Sequence, residues 1–208
     1  MAGVVGWVDL TSPKVDDELD ELLAGPGRLI GIRHQVHDEP DPNWLLRDDV
    51  RRGLAAVQRR GLAYDVLVHA RELPAAIATA RAFPDLQFVL DHIAKPRIMD
   101  GSDPAWSELM PGLAAAPNVA VKLSGMVTEA DWSRWTADDL RPFVERVVGW
   151  FGTDRVLFGS DWPVCLLVGS YGEVLAGLEA ALPRLTASER EQLYGGNAER
   201  VYTLVAAG

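Results

Sequence analysis

The stretch Arg155-Val-Leu-Phe-Gly-Ser-Asp-Trp-Pro163 decides the fold. Val156-Leu157-Phe158 is a short apolar run, entered from Asp154-Arg155 and left through Gly159-Ser160. A run of that length between turn residues reads as a buried parallel strand. A carboxylate, an indole and a proline follow at once. A buried strand has no structural use for Asp161 just past its C-terminal end. A catalytic mouth has one, because α/β enzymes build their chemistry on the loops at the C-terminal ends of parallel strands. The plainer alternative makes Asp161 a helix cap or a turn anchor.

Working outward, apolar runs of similar length recur at 4–8, 29–33, 65–68, 87–90 and 119–123, with the last strand at 155–158. Segments of helical period lie at 48–60, 73–82, 137–151, 172–182 and 188–205. Pro74 sits in the first turn of the second of these, which stops before Pro84. Strand and helix in alternation predict βα units and a parallel sheet. No linker rich in Gly, Pro or Ser divides residues 1–208, so one domain is expected.

Composition narrows the function. The 208 residues are 48% apolar and 24% charged, as in an ordinary globular domain. Lys and Arg number 20 against 30 Asp and Glu, a formal net charge of −10. That disfavours nucleic acid and anionic membrane surfaces as partners and leaves a small-molecule substrate. The lone Cys165 excludes an internal disulfide framework and is expected to be an apolar filler. No run reaches transmembrane length and no leader is visible, so a cytoplasmic location is expected.

Chemistry-bearing residues collect at the ends of the strand candidates: Arg33-His34, His69, Asp91-His92, Lys122 with Ser124, and Asp161. In a parallel sheet those ends converge on one crevice. A single histidine there is more often structural, but three with an aspartate and a lysine call for a site. Imidazole and carboxylate can bind a divalent metal and acidify its water. Alternatively, Asp161 acts directly as general base while His92 or His69 polarises a carbonyl. Arg33 and Lys122 suit a carboxylate or hydroxyl-rich substrate, or else a buried partner such as Asp91. Trp162 offers an apolar or sugar-stacking wall. His37, in the polar loop 36–40, reads as loop surface or substrate rim.

Gly31-Ile32-Arg33-His34, Phe88-Val89-Leu90-Asp91-His92-Ile93-Ala94-Lys95-Pro96, Lys122-Leu123-Ser124-Gly125, Leu157-Phe158-Gly159-Ser160-Asp161-Trp162-Pro163 and Gly196-Asn197-Ala198 together resemble amidohydrolase family 2, most of all its sugar-lactone hydrolase branch. The resemblance implies an α/β chain of (β/α)8 TIM-barrel type and hydrolysis of a sugar lactone or related ester. It implies Asp161 and His92 as catalytic residues, Arg33, His34 and Lys122 as substrate contacts, and His69, His92 and Asp161 as metal ligands. The cofactor is then zinc or manganese, or none, because metal-free branches exist. Two other outcomes stay open: a metal-dependent decarboxylase or hydratase, and a silent domain stabilised by self-association. The family's opening His-x-His is absent. A barrel truncated by two N-terminal βα units is therefore expected, about 70 residues by the usual barrel length. Its open sheet edges would be covered by further strands or by a homo-oligomer.

Overall fold

The computed structural model describes residues 2–204. Six strands form one sheet: β1 Val4–Gly6, β2 Leu29–Gln35, β3 Ala63–Leu67, β4 Phe88–Leu90, β5 Val119–Leu123 and β6 Val156–Phe158. They lie side by side in chain order, each neighbouring pair parallel. Parallel neighbours need right-handed crossovers, and repeating the same step keeps every crossover helix on one face. This is the winding of a TIM-type barrel, present as a half-barrel with β1 and β6 at its edges.

The connecting helices are α1 Val15–Ala24, α2 Asp48–Arg59, α3 Leu73–Ala82, α4 Pro104–Ala114, α5 Ala137–Phe151 and α6 Tyr171–Ala181. The short α7 Ala187–Glu191 and α8 Asn197–Val201 flank a π-helical turn, Gln192–Gly196. Strand side chains alternate between faces. Tyr64, Val66, Phe88, Leu90, Val119, Val121 and Val156 face the helices and join the main core. Ala63, Val89, Ala120 and Leu157 face inward, where Val201 and Tyr202 cover them.

The period of two then places the site. Two residues beyond each small inward residue comes a charged one: Asp65 after Ala63, Asp91 after Val89, Lys122 after Ala120. The inner face is therefore apolar at its base and ionic toward the C-terminal strand ends.

Some expected elements differ. Helices α1 and α4 were not among the expected elements. The signal for α1 is present, since Val15, Leu19, Leu22 and Leu23 recur at helical spacing between acidic residues, although only Val15 and Leu19 are buried. Helix α4 holds Pro111 and Gly112 in its interior, both helix breakers by local rules. The expected helix at 188–205 is split by the π-turn, where Gly195 and Gly196 lower helix propensity. Its last expected residue, Val205, lies outside the described residues.

Candidate active site

All six strands point the same way, so their C-terminal ends form one rim. His92 follows β4 and Asp161 follows β6. His92 Nε2 and Asp161 Oδ1 face each other across 3.6 Å. That gap is wider than a hydrogen bond, and a substrate or water oxygen between them could contact both.

The imidazole is held from behind. Ser124 Oγ lies 2.8 Å from His92 Nδ1. Gly125 stands against the ring, and a Cβ there would come within 2.6 Å of His92 Cγ. Gly125 also has φ +59°, which glycine adopts without strain. At the end of β6, a Cβ on Gly159 would meet that of Ser124 at 2.8 Å. Two glycines thus make room for the serine and the ring.

His92 also begins an unusual turn. His92, Ile93, Ala94 and Lys95 have φ of 52°, 48°, 61° and 48°. Each left-handed non-glycine residue costs roughly 1–2 kcal/mol. The turn is pinned by Trp106, whose Nε1 donates to the Ile93 carbonyl at 2.6 Å, and by burial of Ile93 and Ala94. Asp161 is left-handed too, at φ 56°. Strain of this kind persists only where packing over-determines it, and it clusters at functional sites.

An ion network lies beneath the rim. The Lys122 ammonium sits 2.5 Å from Asp65 Oδ2 and 2.7 Å from Asp91 Oδ1. Asp91 also takes Arg33 Nη1 at 3.2 Å, and the Tyr202 hydroxyl contacts both Asp65 oxygens at 2.7 and 2.9 Å. Both carboxylates are 1% exposed. Burial pushes Asp65 up to about 6 against the pull of Lys122. Burial would raise Asp91 likewise, but Lys122, His92 and Arg33 together hold it below the ordinary range. Burial works against the Lys122 charge, yet the two carboxylates keep it firmly protonated.

At the rim, burial lowers the His92 pKa despite Asp91 and Asp161, so the imidazole is neutral near pH 7. Burial raises Asp161 against His92 and Lys95. A neutral imidazole beside a carboxylate of raised pKa is a suitable pair for moving a proton.

The expected site residues are therefore only partly assembled. His92 and Asp161 meet. Arg33 reaches the same network and keeps its side chain 46% exposed. Lys122 does not offer a free ammonium, because two buried carboxylates claim it. His34 has both nitrogens engaged, Nδ1 by Trp7 Nε1 at 3.2 Å and Nε2 by Glu39 at 2.7 Å, and it stacks on Trp44. Trp162 is 64% exposed and stands out from the rim loop. His69 is not brought into a metal set with His92 and Asp161. Strand β3 ends at Leu67, so His69 falls in the following turn, edge-on to the ring of His37. Among the described residues no three His, Cys, Asp or Glu side chains converge as a metal site. His92 and Asp161 supply two donors, fewer than the three protein ligands of a catalytic zinc.

The amidohydrolase family model matches residues 1–204. The chain belongs to the amidohydrolase family. This amidohydrolase is 43% identical to the L-fucono-1,5-lactonase of Burkholderia multivorans over 98% of its own length and 72% of that relative. It is 40% identical to the L-fucono-1,5-lactonase of Burkholderia ambifaria, over 98% of the chain and 71% of the relative. A solved amidohydrolase structure from B. multivorans, with bound zinc, superposes with a TM-score of 0.91 at 42% identity, covering 99% of this chain and 74% of that one.

Three features of the site carried no assignment from sequence. Ser124 stood at a strand end without a role, Lys95 was one charge inside a recognised motif, and Tyr202 lay far away in the chain. A lysine in an otherwise apolar turn, Ile93-Ala94-Lys95-Pro96, was the signal available for Lys95.

Proposed function

We propose that this chain hydrolyses a sugar lactone, with Asp161 as general base and His92 as electrophile. The observation that carries it is His92 Nε2 facing Asp161 Oδ1 across 3.6 Å at a shared rim. The names of the Burkholderia relatives supply the substrate class. Water held against Asp161 attacks the lactone carbonyl and gives its proton to the carboxylate. His92 Nε2–H donates to the carbonyl oxygen as negative charge grows there, and Arg33 adds a second donor. Collapse of the tetrahedral intermediate breaks the ring C–O bond. The proton from Asp161 passes to the leaving alkoxide, giving a hydroxy acid.

The zinc in the B. multivorans structure belongs to that protein. Among the described residues His92 and Asp161 offer an imidazole and a carboxylate but no complete metal site, so no step above passes through a metal. Strands β1 and β6 each pair with a strand on one side only, which fits a reading in which two more strands, or a second copy, complete an eight-unit barrel.

A pH-stat assay on an aldono-1,5-lactone tests the proposal. Purified protein should consume base, and Asp161→Asn should abolish that consumption. If Asp161→Asn matched wild type, Asp161 would not be the base.

A further inference from the structure

Lys95 and Glu129 form an ion pair between the loops that follow β4 and β5. Each side chain is 20% exposed, so the pair is half-desolvated yet open on one side. A cavity of about 600 Å³ has both as walls, together with His69 and Arg97, over an apolar floor that includes Pro74 and Leu109. A second cavity of about 710 Å³ shares Arg97 and Glu129 and continues outward to Trp132. The indole of Trp132 is exposed but fixed, its Nε1 donating to the Thr128 carbonyl at 2.9 Å.

The pair is coupled to the reacting centre. Lys95 closes the left-handed turn that His92 opens, and its N–H donates to the His92 carbonyl at 2.8 Å. The Lys95 charge acts on both His92 and Asp161. A strained, buried turn therefore fixes the spacing between the imidazole and the ammonium.

We propose that Lys95 and Glu129 clamp a vicinal diol of the substrate beside the lactone carbonyl, an inference resting on the lactone reading above. An ammonium offers only donors and a carboxylate only acceptors. Two neighbouring hydroxyls need both, one accepting and one donating. The pair presents them side by side, and a diol can bridge it without breaking it. A lactone without hydroxyls would strip the water from the open side of this pair without replacing its hydrogen bonds, which is the basis of discrimination by polar sites. Lys95 and Glu129 are then specificity residues, and His69 is part of a substrate wall.

The test compares an aldono-1,5-lactone with δ-valerolactone, the same ring without hydroxyls, for wild type, Lys95→Met and the near-isosteric Glu129→Gln. Thermal unfolding checks that both variants fold. The preference, as a ratio of kcat/KM values, should fall about 10- to 100-fold in each variant, the usual worth of a charged hydrogen bond. An unchanged ratio, whether both activities drop together or neither does, overturns the clamp. Should wild type open neither lactone, binding of an inert methyl pyranoside followed by NMR decides. Binding lost in Lys95→Met keeps the clamp while the lactone reading fails; no binding to wild type overturns the clamp as well.

Discussion

Ser124 Oγ lies 2.8 Å from His92 Nδ1, on the side of the ring opposite Asp161. A serine hydroxyl can donate or accept, and the two faces of the ring decide which. Asp161 faces Nε2, so a neutral imidazole gains by carrying its proton there. Nδ1 is then an acceptor and Ser124 the donor. The serine, donating to Nδ1, thus supports the tautomer that presents Nε2–H to a substrate oxygen.

Removing that donor should disturb catalysis more than binding. Ser124→Ala is expected to lower kcat roughly tenfold with KM little changed, the scale of one hydrogen bond. The ¹⁵N shifts of the His92 ring should report a mixture of tautomers in the variant and a single one in wild type. Gly125→Ala should be worse, because its Cβ would enter the ring's space at a residue with φ +59°. An unaltered ¹⁵N spectrum in Ser124→Ala would remove the serine from this role.

The pH dependence follows from Asp161. The base works only when ionised, and burial raises its pKa. The acid limb of kcat/KM should therefore have its midpoint above the ordinary carboxylate value of about 4. Arg33 is one of the charges that favours the ionised form. Arg33→Met should move the limb to still higher pH, besides weakening the reaction. A limb that stays in place in Arg33→Met would show that Arg33 does not act on the base.

Much of this site was legible in the sequence because strand ends were. Each apolar run ended near a residue able to do chemistry, and parallel winding brought those ends together. All six strands were located to within two residues at each end. The ion network was half legible: Asp91 was an expected partner for Arg33 and Lys122, whereas Asp65 read only as the first residue of a strand. Tyr202 is separated from Asp65 by 137 residues and joins it because the C-terminal segment folds under the half-barrel. No local pattern announces such a contact. The left-handed turn at His92 was equally hidden, since Ile93 and Ala94 carry no glycine or asparagine signal and are held there by tertiary packing alone.

The Gly196-Asn197-Ala198 motif has a structural use that can be measured. Asn197 is buried, and its Nδ2 donates to the carbonyls of Thr153 and Val156 at 2.8 and 2.7 Å. It ties α8 to the entry of β6, upstream of Asp161. Asn197→Ala leaves both carbonyls without this donor and should destabilise the protein by about 2 kcal/mol. Urea unfolding checks this, and a change below about 0.5 kcal/mol, the size of an ordinary surface substitution, would mean that solvent replaces the amide.

Lys122 makes the strongest stability prediction, because its charge holds two buried carboxylates. Lys122→Met leaves Asp65 and Asp91 facing each other across a low-dielectric space, with Arg33, His92 and Tyr202 nearby but no ammonium between them. Breaking a buried pair in this way costs about 3–5 kcal/mol. The cost depends on pH, and its sign can be worked out. In wild type, Asp91 has a lowered pKa, so its contribution is present above the unfolded value and is lost as pH falls through the folded one. Lys122 has a raised pKa, so its contribution is complete below the unfolded lysine value and is lost only as pH rises through the folded one. The variant loses both contributions, and its two carboxyls acquire raised pKa values because burial and mutual repulsion now act without a nearby ammonium. Native carboxyls of raised pKa bind protons more tightly than the unfolded chain does, so the variant gains stability as pH falls. The gap between wild type and Lys122→Met should accordingly be wide at pH 8 and narrower at pH 5. Urea titrations at the two pH values measure it, and a gap that stays constant would show that the carboxylates do not depend on Lys122 for their charge.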